Sequence, residues 1–235
     1  MAPSYVDHII ITAPNLEVGA EFVSQTLGVM PQKGGEHPRM GTHNLLLRLG
    51  EASYLEVISP NPGASQPERA RWFALDSLAA DASPRLATWV ARTTDVHTTA
   101  AVSSEMFGPI EPMTRGTLNW LITIPADGSL PLGGIAPTLI EWQAEPHPAA
   151  NLQDWGLSLV KLELFHPEPD RITSLLKAIE CQGPVSVFPT PKGVAPYLVA
   201  HINTPKGLRT LSAPNHGGDL FPRPFHSSRH RLPVH

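Results

Sequence analysis

The sequence predicts an α+β protein assembled from repeated β-α-β-β-β units, and three observations point there. Three helix-like segments share one length from capping residue to closing glycine. Each is preceded by a run rich in β-branched or large apolar residues, and each is followed by two or three more such runs. In the first unit Asn15 caps a segment that carries Leu16, Ala20, Val23 and Leu27 on one face and stops at Gly28. In the second, Asp95 precedes Val96, Ala100 and Phe107, and Gly108 closes the segment. In the third, Asp170 precedes Ile172, Leu175, Leu176 and Ile179, and Gly183 closes it. The interval is thirteen positions each time, from 15 to 28, 95 to 108 and 170 to 183.

The strands follow in the same order. Leading strands are predicted over 6–12, 86–93 and 157–165. The runs 44–49 and 54–59 follow the first helix, 117–124 and 138–142 the second, and 185–188, 197–202 and 208–211 the third. The 26 prolines, about twice average usage, fall mostly between these runs, which suits many short elements joined by rigid turns. The expected organisation is therefore paired modules at 5–60 and 85–143 within residues 1–150, and a third βαβββ-like module at 151–212. A connector at 61–84 holds a helix-forming stretch over 68–78, and an extended tail occupies 213–235. The tail is rich in Pro and His without periodicity, and a surface-packed or disordered segment is expected there.

Composition narrows the function classes. At 235 residues the chain can bury a sizeable core as one large domain or two small ones. Its 17 basic and 21 acidic residues are dispersed along the chain, which argues against a nucleic-acid partner. No apolar run approaches the roughly 18 residues of a membrane span, so no membrane partner is expected. The single Cys181 cannot form an internal disulfide, and the first residues lack a signal-peptide pattern, so the expected location is the cytoplasm.

Polar residues inside apolar strands are the informative ones, because a buried carboxylate without a partner is costly. His8, Glu56 and Glu141 each interrupt such a run. His8 stands seven positions before its helix cap, where the second unit has Thr88 and the third Glu163. Glu56 stands 41 positions after its cap; the second unit offers Glu141 at 46, with the insertion 125–137 (PADGSLPLGGIAP) accounting for the excess, and the third has Leu211 at 41. Imidazole and carboxylate ligands suit a divalent metal such as Zn, Mn, Fe or Ni. The plainer accounts are a buried His8–Glu56 hydrogen bond, a Glu141–Arg115 pair and a Lys161–Glu163 pair. His37, His43 and Asn44 cluster at a strand start, either to bind substrate or to stabilise a turn through Asn44. Trp89, Trp120 and Trp142 either wall a pocket or fill the core.

The segments VDHIIITAPNLEVGAEFVSQTLG, GTHNLLLRLG and YLEVISP resemble the opening module of glyoxalase-like proteins of the vicinal-oxygen-chelate superfamily. The tracts EHPRMGTHN and PTLIEWQAEPHP are similar to a bacterial branch of that family. The resemblance implies paired modules forming a curled mixed sheet whose concave face holds a divalent metal, with ligands from the first and last strands of each module. His8 and Glu56 match two of those positions. Thr88 departs from the pattern, which leaves His8, Glu56 and Glu141 with a water as the expected metal set, Glu163 replacing Glu141 if units one and three pair, and Glu56 and Glu141 being also the candidate catalytic carboxylates. The implied function is a metal-dependent lyase, isomerase or dioxygenase acting on a small oxygen-bearing substrate, with His37, His43, Asn44, Trp89 and Trp120 as substrate contacts and a homodimer as one assembly. The alternative is a protein on the same fold that sequesters a small molecule without chemistry. Glutathione-dependent glyoxalase I activity is disfavoured by the incomplete ligand set and the third unit.

Overall fold

The computed structural model describes residues 2–213, so the expected tail lies, beyond Ala213, outside the described residues. The first unit runs β1 (Ser4–Thr12), α1 (Leu16–Leu27), β2 (Gln32–His37), β3 (Thr42–Gly50) and β4 (Ser53–Pro60). The second runs β5 (Arg85–Arg92), α2 (Val96–Ala101), β6 (Ile110–Arg115), β7 (Leu118–Thr123) and β8 (Thr138–Trp142). Among the described residues these strands form one curled mixed sheet in the order β2-β3-β4-β1-β5-β8-β7-β6. An antiparallel β1–β5 pair joins the halves, with β4 parallel to β1 and β8 parallel to β5. The edge strands β2 and β6 approach one another, so the sheet nearly closes on itself. The third unit, β9 (Ser158–His166), α3 (Pro169–Ala178), β10 (Cys181–Gln182), β11 (Val185–Pro189), β12 (Tyr197–Thr204) and β13 (Gly207–Ser212), makes a separate four-stranded sheet, β11-β9-β12-β13, while the short β10 pairs with β1. No helix among the described residues is long and apolar enough to cross a membrane.

The capping residues act as the sequence predicts in the first two units. Asn15 Oδ1 accepts from the Val18 N–H at 2.9 Å, Asp95 Oδ1 accepts from the Thr98 N–H at 3.0 Å, and Gly28 closes α1 in the left-handed region at φ 76°. α2 nevertheless stops at Ala101, well short of Gly108, because Thr98, Thr99 and Val102 are β-branched and two serines follow. α3 begins at Pro169 after Glu168, ahead of the expected cap Asp170. The connector 61–84 is not an α-helix: it holds one short 3-10 turn at Leu75–Ser77 and crosses the open side of the sheet. Helix propensity yields there to burial, since Trp72, Phe73 and Leu75 all turn inward and Phe73 and Ala74 take left-handed φ values of 57° and 54°. Strands β2 and β6 escaped the sequence reading because their compositions, QKGGEH and IEPMTR, show no apolar alternation, as suits edge strands.

Two bulges break the β1–β5 ladder. Val6 pairs with Ala91 and His8 with Val90, which leaves Asp7 as an extra residue in β1. Ile10 pairs with Thr88 and Ile11 with Leu86, which leaves Ala87 as an extra residue in β5. The core is split by the sheet. On the outer side Ile9, Ile11, Leu55, Val57 and Trp89 pack with residues of α1, α3 and the second sheet. On the concave side Ile10, Ile58, Val90, Ile122 and Ile140 pack with Trp72, Phe73 and Leu75 of the connector. Each wholly buried isoleucine contributes roughly 1.5–3 kcal/mol through burial.

Candidate functional site

Period-two alternation selects what faces the concave side. On β4 it sends Tyr54, Glu56 and Ile58 inward and Leu55 and Val57 to the outer core. On β1 it sends His8 and Ile10 inward, and the bulge brings Asp7 within reach of its own neighbour, which a regular strand would place on the opposite face. The result is a buried chain of ionisable groups. His8 Nδ1 lies 2.6 Å from Asp7 Oδ1, and His8 Nε2 lies 3.3 Å from Glu56 Oε2. The Tyr54 ring stacks on the imidazole at 4.4 Å and 13°.

Both carboxylates are held from behind. The other oxygen of Asp7, Oδ2, accepts from Trp142 Nε1 at 3.0 Å and from His147 Nε2 at 2.8 Å. The other oxygen of Glu56, Oε1, accepts from Asn44 Nδ2 at 2.5 Å, and Asn44 Oδ1 accepts in turn from the Gly35 N–H at 2.8 Å. Gly34 is required here, because a Cβ on it would collide with Asn44 Oδ1. Burial opposes charge on each group, yet the partners prevail. Burial alone would lower His8, but hydrogen bonds to Asp7 and Glu56 and their charges raise it to about 9. Burial alone would raise Glu56, but the His8 hydrogen bond, the nearby histidine charges and Asn44 lower it to about 2. Asp7 is held well below the usual carboxylate range against its burial by His147 and His8. Without a metal, His8 is thus an imidazolium between two carboxylates at neutral pH.

Above this floor stand His37 and Arg115, one from the end of each edge strand. Burial lowers His37 to about 4, with the Glu56 charge opposing and the Arg115 charge assisting, so the ring is neutral. Arg115 Nη1 lies 3.4 Å from His37 Nε2 and 3.4 Å from Asn44 Oδ1. A guanidinium only donates, so His37 Nε2 accepts and its proton sits on Nδ1, 3.2 Å from Thr42 Oγ1. The walls are Trp72, Phe73, Trp120, Trp142, Ile122 and Ile140. The enclosed space is about 30 Å³, room for roughly one water. His37 and Arg115 also line a larger hollow of about 440 Å³ between β2 and β6, with Pro38, Arg39 and Met113.

The structure thus gathers His8, Glu56, Asn44, His37 and Trp120 about one cavity and leaves four other candidates elsewhere. Glu141 is corrected by parity: Ile140 and Trp142 face the cavity, so Glu141 points outward, where its Oε2 accepts from the Val96 N–H at 2.9 Å at the start of α2. Nor does it pair with Arg115. His43 alternates with Thr42 and Asn44 on β3 and takes the opposite face. Trp89 is wholly buried in the outer core and donates from Nε1 to Ile135 O at 2.9 Å. Glu163 lies in the second sheet, paired with Lys161 at 2.6 Å and His201 at 2.9 Å. Asp7, Tyr54, Arg115 and Trp72 were missed; only Asp7 carried a signal, as a second ionisable residue inside the apolar run that holds His8.

The donor set fits a divalent ion in part. His8 Nε2 and Glu56 Oε2 converge, and each is oriented by an outer partner in the way that metal ligands usually are. Among the described residues no group of three or more His, Cys, Asp or Glu side chains could enclose an ion. Among the described residues, His8 Nε2 and Glu56 Oε2 are the two groups there that could hold an ion.

The sequence profile of a family described as a glyoxalase-like domain matches residues 6–180. No curated protein matches. Among solved structures, a hypothetical protein from Staphylococcus aureus aligns with 82% of this chain and 87% of its own at 14% identity and a TM-score of 0.58, a likeness of fold. A Streptomyces coelicolor methylmalonyl-CoA epimerase in complex with 2-nitronate-propionyl-CoA aligns with 61% of this chain and 100% of its own at 21% identity and a TM-score of 0.39. The corresponding figures for methylmalonyl-CoA epimerase from Mycobacterium tuberculosis are 62%, 91%, 18% and 0.39.

Proposed function

The chain belongs to the glyoxalase-like family of the vicinal-oxygen-chelate superfamily, and from that premise we propose that it is a metal-dependent enzyme of the lyase, isomerase or dioxygenase type, with His8 and Glu56 as its metal ligands. One observation carries the reading: a buried imidazole nitrogen and a carboxylate oxygen, 3.3 Å apart, converge on a cavity walled largely by Trp72, Phe73, Trp120, Ile122 and Ile140. A bound divalent ion would supply Lewis-acid stabilisation of charge developing on a substrate oxygen.

The chain's own residues prepare that site. Asp7 Oδ1 accepts a hydrogen bond from His8 Nδ1–H and so turns Nε2 toward the cavity. Asn44 occupies one oxygen of Glu56 and leaves the other free. Trp72 and Phe73 keep bulk water from the floor, so charge there is weakly screened. His8 must lose its Nε2 proton to become a ligand, so metal uptake releases a proton.

The experiment is a metal titration of chelator-treated protein with Mn²⁺ or Zn²⁺, followed by calorimetry. The wild type is expected to take up about one equivalent, and His8→Ala and Glu56→Gln each to weaken uptake by at least the 10–100-fold typical of outer-shell losses. Absence of uptake by the wild type, or undiminished uptake by both variants, would overturn the assignment.

A further inference from the structure

We infer that Arg115 and Trp72 form a carboxylate subsite in this cavity, so that the substrate is a small monocarboxylate bearing a second oxygen beside the carboxylate. The inference rests on the metal reading of His8 and Glu56 for the second oxygen, and on three independent features for the carboxylate.

The first is an unmatched cation. Arg115 has no carboxylate within ion-pair reach among the described residues, and its two polar contacts, to His37 Nε2 and Asn44 Oδ1, are both long at 3.4 Å. Its other donors are uncommitted. The arrangement is built in: Arg115 crosses from β6 over Gly35 of β2, where a Cβ would lie 2.6 Å from Arg115 Cδ. Glycine at 35 lets the side chain reach the cavity.

The second is an orphan donor. Trp72 is 4% exposed, its ring walls the same cavity, and its buried Nε1–H has no hydrogen-bond partner. A buried donor left unsatisfied costs about as much as a lost hydrogen bond, and a ligand oxygen would satisfy it. Trp72 and Arg115 both adjoin His37, the indole in a T-shaped contact at 5.1 Å between centroids and the guanidinium at 3.4 Å from Nε2.

The third is spacing, and the single guanidinium of Arg115 matches a single carboxylate. A single amide, that of Asn44, spans from Glu56 to Arg115, so the carboxylate and the metal-facing oxygen must be close together in the ligand. The cavity of about 30 Å³ takes about one ligand oxygen, and the hollow of about 440 Å³ that His37 and Arg115 also line takes the bulk of the ligand.

The test uses pyruvate and its neutral isostere pyruvamide, titrated calorimetrically into the full chain with and without Mn²⁺. Wild-type protein should bind pyruvate about 10–100-fold more tightly than pyruvamide, the range expected for a charge-assisted pair. Arg115→Met should erase that preference without weakening Mn²⁺ affinity, since it removes a like charge. Gly35→Ala, which displaces the arginine without removing it, should reduce the preference, and Trp72→Phe should lower pyruvate affinity by a smaller factor. Equal affinity for the two probes in the wild type, or a preference that survives Arg115→Met, would overturn the inference. An Arg115-dependent preference in protein that takes up no Mn²⁺ would uphold the carboxylate subsite and remove the metal reading instead.

Discussion

The two halves of the curled sheet carry the same backbone device and different chemistry. Each leading strand has one extra residue eight positions before its helix cap: Asp7 before Asn15 in β1, Ala87 before Asp95 in β5. In the first half the bulge presents Asp7 to His8, His147 and Trp142. In the second it presents an alanine, the next residue Thr88 donates to Gly134 O at 2.9 Å, and a Cβ at Gly134 would strike Ala87 O. The insertion that lengthens the second unit thus packs its own backbone against that bulge. The scaffold repeats because sheet twist and closure require it in both halves; the ionisable residues do not repeat, because one buried charge cluster is costly enough.

The largest expected effect comes from making the first half resemble the second. Asp7→Ala removes a buried acceptor shared by one buried and two half-buried donors and is expected to destabilise the protein at neutral pH by about 3–5 kcal/mol, the usual cost of breaking a buried pair, measured by urea unfolding. A loss under about 1 kcal/mol would mean that the cluster behaves like an exposed one.

A pH series on metal-free protein sharpens the same contrast. His8 is raised from 6.5 to about 9, so its contribution to stability is fully present below about pH 6.5 and is lost as pH rises through 9. Glu56 is lowered from 4.5 to about 2, so its contribution is present above 4.5 and is lost as pH falls through 2. The unfolding midpoint should therefore decline between pH 7 and 9 in the wild type and lose that slope in His8→Gln. An unchanged slope in the variant would assign it to other groups.

The smallest effect is expected from Glu141→Gln in the second half. The carboxylate faces the first turn of α2, so its neutralisation should cost about 0.3–1 kcal/mol in thermal unfolding and leave metal affinity as it was. A marked fall in metal affinity would return Glu141 to the site.

The fold was legible because its signals are local. Asn15, Gly28 and Asp95 announce themselves by residue type, and the central strands by β-branched runs. His8 and Glu56 were legible as polar residues in such runs. Glu141 was misread because a count of positions from the cap says nothing about parity, and one residue of slip in a strand reverses its face. Trp89 looked like Trp120 for the same reason. Arg115 sits on an edge strand too polar to show a period, and Trp72 lies in a connector whose helical propensity pointed elsewhere. Neither contact with the cavity follows from local sequence, since one depends on the sheet curling until its edges meet and the other on how the connector packs over the concave face.

Residues 61–84 pair with no strand of the sheet, yet Trp72 and Phe73 supply part of the cavity wall. Inheritance can therefore act on them separately. A change of side chain in this crossing segment alters the shape and polarity of what the cavity admits while strand register, bulges and the His8–Glu56 pair stay where they are. Related chains that share the sheet are free to diverge in that part of the cavity wall by exchanging this stretch alone.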